Sequence, residues 1–233
     1  MTRLGTPRLH LRSTDSTSTR ARELALAGAP HGTLVTAAEQ SAGRGRQGRT
    51  WSAPPGRSLL MSLVLREPPT LLPLAAAVAV AEICGPDAAI KWPNDVLIGG
   101  RKAAGILVEG RPFEGWAVLG IGLNVAVRPE DLPEELRATA TGLGGEPADV
   151  EPALARLLAA LERRLAEDAE TTLEAWRERD ALLGREIAWS GGTGVASGVD
   201  GAGKLVVALP DGGKTSLGAG EVHLGPARNL TSE

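Results

Sequence analysis

Residues 41–51 read SAGRGRQGRTW. Three arginines alternate with three glycines and a tryptophan closes the run, in a chain whose formal net charge is −3. Glycine lets a backbone approach a ligand closely, and each guanidinium offers a fork of donors suited to carboxylate or phosphate oxygens. Like charges on so flexible a segment repel one another, so it should be mobile alone and close over an anion. Read in isolation it is equally an ordinary solvated basic loop. It is not a P-loop, because GxxxxGK[ST] is absent.

The flanking pattern is that of a mixed α+β domain. DSTSTRARELALAG (15–28) reads as a helix that Asp15, Ser16 or Thr17 can cap, with Gly28 after its last turn. HGTLVTAAEQ (31–40) and RSLLMSLVL (57–65) read as strands, and residues 71–84 as an Ala-rich buried helix. Residues 88–110, AAIKWPNDVLIGGRKAAGILVEG, read as short strands with a hairpin at Gly99-Gly100, and GWAVLGIGLNVAV (115–127) as a further strand. Leu154, Leu157, Leu158, Leu161 and Leu165 share one helical face over 151–167, and a second helix is expected over roughly 170–183, before Gly184. Beyond that glycine, short β-like runs alternate with Gly and Asp-Gly, the pattern of a small β-barrel. The expected division is therefore 1–183 and 184–233.

Composition narrows the function classes. The 233 residues are 42% hydrophobic and 23% charged, as in a globular protein. The acidic balance argues against a general nucleic-acid binder, and a single internal Gly-Arg run with few aromatics argues against an RNA-binding module. The N-terminal residues have no apolar signal-peptide region, and the longest apolar run is too short to span a bilayer, so a cytoplasmic protein is expected. The lone cysteine, Cys84, reads as a small buried hydrophobe rather than a nucleophile. The NLT triplet at 229–231 matches a glycosylation acceptor by chance.

Four short segments carry chemistry besides the opening run. In KWPND (91–95), Pro93 ends a strand and leaves Asn94 and Asp95 on a turn where they can face a cleft. Lys102 follows the Gly-Gly hairpin, and Gly105 permits close approach to a ligand. In GIGLNV (120–125), two glycines leave room for a flat group, and Asn124 can fix a hydroxyl or phosphate. Each is weak alone.

In order and spacing, DSTS, EQSAGRGRQGRTW, KWPNDV, RKAAGILVE and GIGLNV resemble the successive motifs of the biotin protein ligases, over nearly the whole chain. The resemblance implies a class II synthetase-like catalytic domain, a mixed sheet with helices, and an SH3-like C-terminal β-barrel. It implies an enzyme that makes biotinyl-5′-AMP from biotin and ATP with Mg²⁺, then passes biotin to one lysine of a biotin carboxyl carrier protein. Family positions suggest that Ser16, Thr17 and Gln40 bond the ureido ring and that Gly43 and Arg44 lie over biotin. Trp51 and Gly105 would border the biotin pocket. Lys102 would stand near the carboxylate and the α-phosphate, with Arg46 and Arg49 on phosphates. Asn94, Asp95 and Asn124 would be near the nucleotide, with the metal near Asp95 and Asn124. Lys102, Arg44 and Asp95 are the expected catalytic residues, Asp95 also as a base for the incoming lysine. Only about fifteen residues precede DSTS, so no DNA-binding module and no repressor activity are expected. A monomer and a homodimer are equally compatible. Lipoate–protein ligases, which share the fold, are the alternative, but they lack GRGRQGRTW.

Overall fold

Alternation along two strands, Ser58–Arg66 (β3) and Trp116–Asn124 (β7), sets the two faces of the molecule. Leu59, Met61, Leu63 and Leu65 of β3, with Ala117, Leu119, Ile121 and Leu123 of β7, enter the main core. Of the residues between them, Val64, Trp116 and Val118 join a smaller core with Ala21 and Ala25 of the helix Thr17–Leu26 (α1). Leu60 and Ser62 of β3 and Gly120 and Gly122 of β7 follow on that second face, where the glycines and the serine leave space.

The computed structural model describes residues 3–111, 114–218, 220 and 222–224; the NLT triplet at 229–231 lies outside them. The strands Arg8–Leu11 (β1), Leu34–Ala37 (β2), Ala88–Lys91 (β4), Asp95–Ile98 (β5) and Arg101–Arg111 (β6) complete a seven-stranded sheet in the order β1-β2-β3-β7-β6-β5-β4. Only β1 and β2 run parallel; the other neighbours are antiparallel. The helices Leu72–Cys84 (α2), Val150–Arg164 (α4) and Ala169–Arg177 (α5) contribute to the main core, and Glu134–Arg137 (α3) is a single short turn. The expected hairpin at Gly99-Gly100 is present, with positive φ at both glycines (55° and 75°) between β5 and β6.

Beyond Gly184, Glu186–Trp189 (β8), Gly192–Val199 (β9), Leu205–Ala208 (β10), Lys214–Leu217 (β11) and His223–Leu224 (β12) form a five-stranded antiparallel sheet, as the punctuated β pattern suggested. Its buried residues Ile187, Ala196, Leu205 and Val207 belong to the same cluster as Leu71, Leu74 and Leu182 of the larger unit. Trp92 Nε1 donates to the Gly203 carbonyl at 3.1 Å, a further tie between the two sheets.

One expectation is corrected and one strand is added. The helix expected to reach residue 183 ends at Arg177. Ile90 N donates to Arg179 O at 2.7 Å and Ala181 N to Ile90 O at 2.9 Å, so β4 takes the backbone groups that a longer helix would have used. Strand β1 (RLHL), for which no element was expected, pairs in register with β2 from Arg8↔Leu34 to Leu11↔Ala37. Cys84 is half-buried at the end of α2, where burial pushes its thiol up to about 12, so it stays protonated and unreactive. No helix among the described residues is long and apolar enough to cross a membrane.

Candidate functional site

The open part of the second sheet face holds a cavity of about 300 Å³, walled by α1, the arginine–glycine segment and strands β3, β5, β6 and β7. Its shape follows from which side chains the strands supply. Gly105 of β6 and Gly122 of β7 are direct register partners, and the Trp51 indole lies across both. A methyl group on Gly122 would stand 2.4 Å from Trp51 Cε2, and one on Gly105 would stand 2.9 Å from Cζ3. The flat group that the glycines accommodate here is therefore the protein's own tryptophan.

Two residues back along β7, or about 7 Å, the wall becomes neutral and hydrogen-bonding. Ser62 pairs with Gly120 across the sheet, and Ser62 Oγ lies 2.9 Å from Thr17 Oγ1 and 3.1 Å from Ser18 Oγ. Gln40 Oε1 accepts from Thr17 N at 2.7 Å and from Thr17 Oγ1 at 3.0 Å. Gln40 thus satisfies one of the N–H groups at the start of α1 that have no partner within the helix. Ser16 occupies the N-cap position but makes no cap bond, and its Oγ is buried without a hydrogen-bond partner among the described residues. Trp51 Nε1 is in the same condition. Buried polar atoms are rarely left unpaired, so both favour a polar ligand at this wall. Asp15 fixes the turn that delivers Ser16 and Thr17. The hydrogen bond from Ser16 N (2.7 Å) holds its carboxyl below the usual range, helped by Thr14 and Arg20.

On the other side of the indole the wall is cationic. Lys102 Nζ stands 2.7 Å from Asp95 Oδ1 and 5.6 Å from the Trp51 ring centroid, within cation–π reach. Arg44, Arg46, Arg49 and Lys91 line the same cavity, where Asp95 is the one carboxylate among the lining residues. The segment 43–51 is folded back as a small hairpin: Trp51 N donates to Gly43 O at 2.9 Å, and Gly45 N to Arg49 O at 2.7 Å. A side chain on Gly43 would put its Cβ 2.4 Å from Trp51 O, which explains the glycine there. Arg44 also reaches Glu109 on β6, at 2.8 Å.

Of the residues expected from the sequence, Ser16, Thr17, Gln40, Arg44, Arg46, Arg49, Trp51, Asn94, Asp95, Lys102 and Gly105 all line this cavity. Gly43 lies just behind it, against Trp51 and Gln40. Asn124 does not join them. Its Oδ1 accepts from Ser58 Oγ at 3.2 Å and its Nδ2 donates to Thr141 O at 3.0 Å, so the buried side chain ties strand ends together away from the cavity wall. Of the two residues expected near a metal, Asp95 lines the cavity and Asn124 does not. No group of three His, Cys, Asp or Glu side chains gathers among the described residues. Asp95 alone suits a magnesium ion carried by phosphate oxygens, a cation that often takes only one or two protein carboxylates. Lys91 was missed, although it is the first letter of KWPND. Alternation along β4 and β5 sets it opposite Asp95, and that pairing was the available signal.

Residues 10–125 match the family model for the Biotin/lipoate A/B protein ligase family. The "Bifunctional ligase/repressor BirA" of Bacillus subtilis (strain 168) is 43% identical over 164 residues, covering 64% of this chain and 50% of that protein. The chain thus matches about half the length of that relative. "Biotin--[acetyl-CoA-carboxylase] ligase" of Paracoccus denitrificans is 37% identical over 241 residues, covering 92% of this chain and 99% of that protein. Among solved structures, the biotin protein ligase from Aquifex aeolicus in complex with biotin and ATP superposes with a TM-score of 0.81 at 28% identity, covering 95% of this chain and 100% of that one.

Proposed function

The chain belongs to the biotin protein ligase family, and on that premise we propose that it joins biotin to ATP and passes the biotinyl group to a lysine of a carboxyl-carrier domain. The observation that carries the reading is the order of chemistry along one cavity: neutral hydrogen-bonding groups, then an indole, then cations. Biotin has the same order, with a ureido ring, an aliphatic chain and a carboxylate. Ser16 Oγ, Thr17 and Gln40 bond the ring, and the Trp51 indole packs the hydrocarbon.

The first step brings two anions together. The biotin carboxylate oxygen attacks the α-phosphorus and the bond to pyrophosphate breaks. Arg44 and Lys102 face the carboxylate, while Lys91, Arg46 and Arg49 hold the phosphates. Preorganised cations of this kind offset the repulsion and stabilise the charge that moves onto the leaving group. Asp95 would hold a magnesium ion, which would supply further charge neutralisation. Asp95 keeps the Lys102 ammonium in position. In the second step the amine of the acceptor lysine attacks the acyl carbon and AMP leaves. Asp95 then serves as the acceptor of the amine proton. The hairpin 43–51 closes over the mixed anhydride and keeps water from it.

The test is biotin-dependent release of pyrophosphate from ATP, followed by avidin detection of biotin on a carboxyl-carrier domain, with lipoate as the competing acid. Biotin-independent turnover, or transfer of lipoate in preference to biotin, would refute the reading.

A further inference from the structure

Glu109 is not in the cavity wall, yet it grips the arginine at the start of the glycine-rich hairpin. We propose that Glu109 is a positioning residue for Arg44, holding the guanidinium from outside the cavity so that its remaining donors face the substrate carboxylate. The proposal deepens the reading above and rests on it for the identity of the acid.

Glu109 stands on β6 four residues beyond Gly105, so alternation sets it on the same sheet face. Its Oε1 lies 2.8 Å from Arg44 Nη2. Arg44 lines the cavity, whereas Glu109 opens on a separate recess with Arg22, Trp116 and Val118. The carboxylate therefore approaches the guanidinium from the side away from the ligand. A guanidinium carries five N–H donors in a rigid fork, so one carboxylate behind it leaves donors for a second one in front. Glu109 is no ordinary solvated charge: its side chain is only 24% exposed and its Oε2 is buried without a hydrogen-bond partner among the described residues. Its backbone belongs to a central strand, while Arg44 belongs to a glycine-rich hairpin held at that point by the single bridge Arg44↔Thr50. The strand thus lends its rigidity to the hairpin. An arginine ordered before binding loses less rotamer freedom on binding.

The experiment compares wild type, Glu109→Gln, Glu109→Asp, Arg44→Gln and the double variant Glu109→Gln/Arg44→Gln. Biotin affinity is measured by calorimetry, and trypsin cleavage after Arg44 in the ligand-free protein is timed wherever that arginine is present. Losing a charge-assisted contact of this kind should weaken biotin binding about tenfold in Glu109→Gln. Glu109→Asp should recover part of the loss, and Glu109→Gln should add nothing once Arg44 is gone. Ligand-free Glu109→Gln should be cut after Arg44 faster than wild type. Wild-type affinity in Glu109→Gln, or an equal loss in both Arg44 backgrounds, would overturn the proposal. If wild type takes up no biotin, the functional reading fails instead. The trypsin arm then judges the grip alone, and equal cleavage rates would overturn it.

Discussion

At Lys102 one ammonium meets a carboxylate at 2.7 Å, an indole at 5.6 Å and the cavity itself. If that cation acts as charge moves in the first half-reaction, Lys102→Ala should slow pyrophosphate release about a hundredfold, the usual result of removing a preorganised donor worth roughly 3 kcal/mol. Biotin binding should fall less, and transfer from preformed biotinyl-AMP less again. Measuring both half-reactions checks this; wild-type pyrophosphate release would remove Lys102 from the chemistry. Gly122 makes a steric prediction. Gly122→Ala drives a methyl to 2.4 Å from the indole, and overpacking of this kind costs about 1–3 kcal/mol unless the neighbour moves. Trp51 is half-buried on a hairpin and can move, so the melting temperature should stay near wild type while biotin affinity drops. A large fall in melting temperature with affinity retained would contradict that. Legibility at this scale was uneven for a physical reason. Ser16, Gln40, Arg44 and Lys102 come from short motifs whose local spacing brings their chemistry with it. The contacts of Asn124 were not legible, because its partners, Ser58 and Thr141, are 66 and 17 residues away.

The elements were mostly readable: α4 shows a helical hydrophobic period, and β3, β7 and α2 are apolar runs whose length and residue type separate strand from helix. The end of α5 was not, since β4 competes for its backbone. Asp180 lies in that extended segment, bridged to Ile90. Burial holds its carboxyl above the usual range, although Leu182 N donates to its Oδ1 at 2.8 Å; its Oδ2 is buried without a partner among the described residues. A raised folded-state value means the protonated form is favoured in the fold. Its contribution is therefore fully present below the unfolded-state value and is lost as pH rises through the folded one. Asp180→Asn keeps the acceptor for Leu182 N and removes the charge. Its denaturant midpoint should exceed wild type at pH 7, and the difference should close as the pH falls below the range in which Asp180 is ionised. An equal midpoint shift at both ends of that range would show that the charge is not the cause.

At the scale of the molecule, we propose that residues 1–183 and 184–233 are two units of function that unfold as one. Both sheets feed one hydrophobic cluster, and Trp92, in the middle of KWPND, donates to Gly203 beyond the boundary at 3.1 Å. Calorimetry should show a single transition whose van't Hoff and calorimetric enthalpies agree. Trp92→Phe, which removes the indole N–H and leaves the Gly203 carbonyl unpaired, should lower the midpoint by about 2–4 °C for each 1 kcal/mol lost. Two resolved transitions would refute the coupling. By itself the sequence determined the mixed sheet, the appended β unit, the family and nearly all of the cavity's polar residues. Those properties are written in short-range spacing and residue type. Only the tertiary structure decided that Trp51 fills the space above Gly105 and Gly122, that Glu109 holds Arg44 and that Asn124 is tied to Ser58 and Thr141. It also decided that β4 ends α5 early. Each of these is a contact between segments whose separation along the chain bears no relation to their distance in space, so no local pattern encodes it.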